Sequence, residues 1–133
     1  MYQRSPSRTA LVRTVAMGLL LCVVFAASSC SDVEFIEQLT IVNETDYPAN
    51  VAVADGRRNG WLILTTSNKQ STTTVEQVID QGEVWTFRWD YAGRHEEEVE
   101  VNRDDLERSD WRVEVPQSFH DALQELGIPP PPE

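Results

Sequence analysis

The sequence predicts a mainly β protein: a small antiparallel β-sandwich of about seven strands with a short C-terminal helix, placed after an N-terminal targeting segment. Two observations predict it. From Ile36 onward, short apolar and polar residues alternate in runs broken by turn residues, as at Asp55-Gly56, Asn59-Gly60 and Asp80-Gln81-Gly82. Seven such runs at close spacing fit two packed sheets better than helices. The last stretch before the C-terminus then changes period, with Phe119, Ala122, Leu123 and Leu126 at helical spacing.

Taken in order, Ile36 to Asn43 (IEQLTIVN) reads as the first strand, and Asn43 to Pro48 as a loop. Ala49 to Asp55 and Trp61 to Thr66 follow as the second and third strands. The Thr-rich, β-branched Ser71 to Ile79 is the fourth. Glu83 to Tyr91 (EVWTFRWDY) and His95 to Val101 are expected to pair as a hairpin, and Trp111 to Val115 is the last strand. Between them Asn102 can cap a helical turn through Arg103 to Arg108, with Asp104 and Asp105 near its positive end. Pro116 ends the last strand, and a helix over Gln117 to Leu126 stops at Gly127.

The hairpin register is open to derivation. Trp85, Phe87, Trp89 and Tyr91 share one strand face, and Glu97, Val99 and Val101 share one face of the next strand. A two-residue loop would set the aromatics beside Glu96 and Glu98. A three-residue loop, Ala92 to Arg94, pairs Tyr91 with His95, Phe87 with Val99 and Trp85 with Val101. One residue of slip flips every side chain, so the apolar match selects the longer loop. It also sets Arg88 opposite Glu98, a cross-strand pair of about 0.2–1 kcal/mol.

Charge divides the chain of 133 residues sharply. The first thirty contain no Asp or Glu and only Arg4, Arg8 and Arg13 as charged side chains. Beyond Cys30, eight Lys and Arg face all 22 acidic residues, a net charge of −14. Such a domain is repelled by phosphate backbones and by anionic lipid head groups, and it lacks the clustered Lys and Arg that displace counterions, so no nucleic acid is expected as partner. Val15 to Ala27 (VAMGLLLCVVFAA) is apolar and uncharged but too short to cross a bilayer, which takes about 20 residues. It fits the core of a signal peptide behind a basic start.

Ala27-Ser28-Ser29-Cys30 comes next. Here the chain resembles bacterial lipoprotein precursors, whose lipobox is a Leu-like residue, two small residues and Cys; Ala27 stands where Leu is commonest. The resemblance covers only about the first thirty residues. It implies cleavage after Ser29, a diacylglyceryl group on the Cys30 thiol and a location on the outer face of a membrane, held through the lipid. The folded part is also similar to small actinobacterial lipoproteins, through IVNETDYPANV and WRVEVP, which implies no particular activity. The expected organisation is a signal peptide over 1–29, lipidated Cys30 and a spacer over 30–35, a sandwich over 36–128 and a Pro-rich tail over 129–133. Ser31 to Phe35, fully extended, spans roughly 16 Å. Cleavage by an ordinary signal peptidase, releasing a secreted protein, and an uncleaved anchor are the alternatives.

Cys22 leaves with the signal peptide, so the mature chain holds no internal disulfide. Ser118, His120 and Asp121 are the residue types of a hydrolytic triad, but positions two apart on a helix point about 200° from each other. Glu96, Glu98 and Glu100 are weak metal candidates, since alternating strand carboxylates diverge while calcium takes six to eight converging oxygens. His95 has no Cys or second His beside it and is expected in a surface or register-setting role. Asn43-Glu44-Thr45 fits a glycosylation pattern, but that presumes a eukaryotic secretory route, against which the lipobox speaks. The aromatic strip is expected mostly in the core, with Trp89 and Tyr91 nearest the surface; these two and the basic tip Arg57-Arg58 are the candidate partner contacts.

The functional expectation is a non-enzymatic, membrane-tethered module, without cofactor, that binds another component of the cell envelope. Alternatives are a metal-dependent surface enzyme or enzyme subunit using the acidic cluster, and a purely structural envelope protein.

Overall fold

The computed structural model describes residues 32–133. The predicted signal peptide and Cys30 lie outside the described residues. The elements are β1 (Phe35–Asn43), β2 (Ala49–Asp55), β3 (Leu62–Ser67), β4 (Ser71–Ile79), β5 (Val84–Tyr91), β6 (His95–Asn102), α1 (Arg103–Arg108), β7 (Arg112–Glu114) and α2 (Gln117–Glu125). They form two sheets, β4-β1-β7 and β3-β2-β5-β6, so the predicted seven-stranded sandwich is the fold. No helix among the described residues is long and apolar enough to cross a membrane.

The core follows from alternation. β2 turns Val51 and Val53 inward and β5 turns Trp85, Phe87 and Trp89 inward; all five are buried, as are Leu39 and Ile41 of β1. The β5 aromatics stack along the strand, Trp85 on Phe87 at 6.1 Å and Phe87 on Trp89 at 5.7 Å between ring centres. Burial stabilises by about 1.5–3 kcal/mol for a side chain of Phe size. Leu106 of α1 and Phe119 and Leu123 of α2 close the core. The three-residue hairpin loop is observed: Tyr91 opposes His95, Phe87 opposes Val99, Trp85 opposes Val101 and Arg88 opposes Glu98. Ala92 and Gly93 both take positive φ, 52° and 68°.

Several features depart from simple alternation. β7 lies parallel to β1, against the all-antiparallel expectation, with Thr40 to Val42 opposite Arg112 to Glu114. The cause is the crossover: β6 hands the chain to α1, which turns it back and delivers β7 to the other sheet in the direction of β1. In β1 both Ile36 and Leu39 are buried although three apart, and in β4 Val78 is buried while Val75, also three away, packs on the core. The pairs Ile36–Val78 and Gln38–Glu76 bracket Glu37 and Gln77. One residue in each strand thus resets the facing without shifting the register, and Gln77 takes φ 55° to do so.

Asn102 occupies the N-cap position of α1, but its side chain makes no capping hydrogen bond. The Arg103 amide is instead held by the Glu83 carbonyl at 2.9 Å. Helix α2 ends one residue before the predicted limit. The Ile128 amide bonds the Leu123 carbonyl and the Gly127 amide that of Gln124, with Gly127 at φ 69°. This double bond pattern needs a left-handed residue, which glycine supplies without a Cβ penalty. Leu126, expected on the apolar stripe, is therefore exposed. The tail beyond it is seated on the domain: the Tyr47 hydroxyl donates to the Ile128 carbonyl at 2.6 Å and Lys69 Nζ to the Pro131 carbonyl at 3.2 Å.

Burial pushes the Tyr47 phenol above its ordinary value, helped by Asp46 and Tyr91. The folded state therefore keeps this proton after the unfolded chain has lost it. Its stabilising contribution is complete below about pH 10 and falls as pH rises toward the folded value, by at most about 1.4 kcal/mol per pH unit. Denaturant unfolding at a series of alkaline pH values should show this decline. In Tyr47→Phe that part of the slope should vanish, at a cost near neutrality of about 1 kcal/mol for the lost hydrogen bond.

Candidate functional site

β6 carries most of the chemistry singled out by sequence, and it divides it between two faces. Glu96, Glu98 and Glu100 point outward and His95, Glu97, Val99 and Val101 inward, the half-buried side of the strand.

On the outer face the carboxylates are met by guanidinium groups. Asp55 Oδ1 accepts from the amides of Arg57 (3.0 Å) and Asn59 (2.9 Å), which folds the β2–β3 loop. Arg58, at φ 57°, then reaches Glu98 at 2.7 Å and Glu100 at 3.3 Å. The hydrogen bond to Glu98, followed by the charge of Glu98 and then Glu100, holds the Arg58 guanidinium above its ordinary value. Arg88 faces Glu98 in register, but its nearest carboxylate is Glu96 at 3.8 Å. Its guanidinium lies over the Trp61 ring, 4.0 Å from the centre, where an arginine gains about 0.5–1 kcal/mol at an exposed site. The basic tip is thus split: Arg58 is spent on the acidic strand, and Arg57 pairs with no carboxylate among the described residues. Among those residues no group of three or more His, Cys, Asp or Glu side chains converges on a point that could hold a metal ion. A shallow cleft of about 250 Å³ beside this strip is lined by Asn50, Ala52, Ile63, Thr66, Arg88 and Asp90, among others.

On the inner face His95 turns toward α2 and not to the surface. Its ring lies 5.8 Å from Phe119, and Nε2 is 3.6 Å from Glu97. The Ser118 hydroxyl donates to the same Glu97 carboxylate. His120 belongs to a separate cluster. Its Nδ1 faces Gln117 Nε2 at 3.0 Å and Asp121 at 3.4 Å, and its Nε2 faces Asp46 at 3.4 Å. The imidazole rests edge-on against Tyr47 at 5.5 Å. Hydrogen bonds from Gln117 and His120 lower the Asp121 carboxyl below its ordinary value. Ser118 and His120 are not brought together: the hydroxyl is committed to Glu97, and the imidazole joins α2 to the loop after β1.

Trp89, expected near the surface at the hairpin tip, is buried, because the whole β5 face packs against the second sheet. Tyr91 is half-buried and meets Tyr47 edge-on at 5.5 Å. The aromatic on the outer face is instead Trp61, just before β3, whose stacking on Arg88 of β5 joins residues far apart in the chain and leaves no local trace in sequence. Asn43, in the glycosylation-like tripeptide, has its amide wholly buried in a corner with Thr45, Tyr47 and Ser67. Ala27, Ser28, Ser29 and Cys30 lie outside the described residues.

Compared with known proteins, the chain matches no family model, no curated protein and no solved structure.

Proposed function

We propose that the protein is exported, cleaved before Cys30 and held on the outer face of a cell membrane by lipid on that cysteine. There its sandwich serves as a non-catalytic module that binds another envelope component. The observation that carries this reading is the order of the N-terminal sequence: a basic start, a thirteen-residue apolar run, two small residues and Cys30, with β1 beginning at Phe35 directly behind. A diacylglyceryl group supplies the two chains that stable anchoring requires. The non-catalytic part is supported by the separation of the Ser118 hydroxyl from His120 and by the arginines set against Glu96, Glu98 and Glu100.

Fractionation of cells producing the wild type and Cys30→Ala tests the anchor. The wild type should sediment with membranes and enter the detergent phase as a chain cut before Cys30. The variant, which has no thiol to acylate, should yield no such cut, membrane-held species, being either released or retained only as an uncut precursor. Retention of both proteins as full-length, uncut chains would mean that the apolar run itself is the anchor.

A further inference from the structure

The strand directions gather one end of the sandwich around Val33 and Phe35, the residues that follow Cys30 in the chain. Phe35 opens β1 and stands directly opposite Ile79, the last residue of antiparallel β4. β3 and β4 are joined by a short turn after Ser67, so the start of β3 lies at the same end as Ile79, and with it the β2–β3 loop that carries Arg57. The opposite end holds the loop after β1, the β5–β6 hairpin tip, α2 and the C-terminal tail.

Five large apolar side chains are exposed among the described residues: Val33, Phe35, Ile63, Ile79 and Leu126. Three of them, Val33, Phe35 and Ile79, collect where the chain leaves for Cys30. Val33 is only three residues from Cys30, a reach of about 10 Å at full extension, so a lipid on that cysteine delivers these side chains to the bilayer surface. Arg57 at the same end is exposed, and its guanidinium is available to a headgroup phosphate. Asp32, Glu34, Glu37 and Glu83, with Asp104 and Asp105 at the start of α1, are exposed at this same end, so it suits an uncharged headgroup layer, not an anionic one, and disfavours deep insertion.

From this juxtaposition we infer that the end formed by Val33, Phe35, Ile79 and Arg57 rests in the headgroup layer of the bilayer, with α2 and the hairpin tip turned away from the membrane. The inference builds on the lipid tether at Cys30. Apolar side chains at such an interface bury their area at the acyl boundary while a cation meets the phosphates. The docked domain would then be held in one orientation, presenting its distal end outward.

The test uses the mature, lipidated protein in phosphatidylcholine vesicles containing a spin-labelled phospholipid. With Cys30 acylated, a cysteine introduced by Ile79→Cys is the single free thiol and takes an environment-sensitive fluorophore; Leu126→Cys is the distal reference and Val33→Cys a second proximal site, outside any strand, should Ile79→Cys fail to fold. The proximal labels should be blue-shifted and quenched by the spin label, and the Leu126 label should be neither. Equal, water-like spectra at both ends, with the diacylglyceryl mass present on Cys30, would overturn the docking and leave the tether standing. Absence of that mass would remove the tether and the docking with it.

Discussion

Trp85→Ala is expected to destabilise the domain by about 4 kcal/mol, within the range of about 3–5 kcal/mol for truncating a buried large aromatic. Trp85 is fully buried and packs on Phe87 and on Trp111, 5.5 Å away, and its Nε1 donates to the Gly82 carbonyl at 3.1 Å. The substitution removes the apolar area, leaves a cavity between the sheets and orphans that carbonyl. A domain of this size holds about 5–15 kcal/mol in total, so much of its stability would go. Trp61→Ala is the matched comparison. Trp61 is half-buried on the outer face and gains mainly from Arg88, so about 1 kcal/mol is expected. Denaturant unfolding followed by far-ultraviolet circular dichroism checks both. If Trp85→Ala costs no more than Trp61→Ala, the assignment of the β5 aromatics to the core is wrong.

Asn43→Ala is expected to cost about 3 kcal/mol, large for a residue in a polar corner. Its Nδ2 donates to the carbonyls of Tyr47 (2.8 Å) and Ser67 (3.1 Å), and its Oδ1 accepts from the Thr45 amide (3.0 Å) and hydroxyl (2.7 Å). Alanine leaves the Ser67 carbonyl and the Thr45 amide without these partners in a buried place, at about 1–3 kcal/mol each. The Thr45 hydroxyl, released from Oδ1, can turn its one proton to the Tyr47 carbonyl, 2.9 Å away. Asn43→Asp should be at least as damaging, because it sets a carboxylate oxygen against two carbonyls. The same denaturation experiment reads both, and a cost below about 1 kcal/mol for Asn43→Ala would contradict the corner's role in joining β1 to β3.

These two residues show what was legible in the chain. Trp85 announced itself: an alternating aromatic strand beside Val99 and Val101 admits one register that keeps apolar against apolar, and the observed hairpin has it. Strand positions were readable for the same reason, since most turns fall at Gly, Asp or Asn. Asn43 did not announce itself. Its role depends on Ser67, which is 24 positions away, and a local reading sees only a loop and a tripeptide. The paired irregularity at Glu37 and Gln77 was hidden likewise, because neither strand alone states that its partner gains a residue at the same level. The parallel placement of β7 depends on how α1 turns the chain.

Among the site residues, the separation of Ser118 from His120 followed from helical geometry alone. The charges on the outer face were harder to assign. Strand register set Arg88 opposite Glu98, but side chains of this length choose among diagonal neighbours and loops. Arg58 reached Glu98 from the β2–β3 loop while Arg88 settled over Trp61. Trp89 shows the converse error: closeness to a hairpin tip does not expose a side chain whose strand face is covered along its whole length.

The most direct measurement is the intact mass of the protein extracted from membranes, read beside that of Cys30→Ala. A lipid-tethered sandwich requires a chain that begins at Cys30 and carries the added diacylglyceryl mass, with no such species from the variant. An unlipidated chain that begins between Ser28 and Cys30 and is found in the medium would contradict it, and would make this a secreted protein.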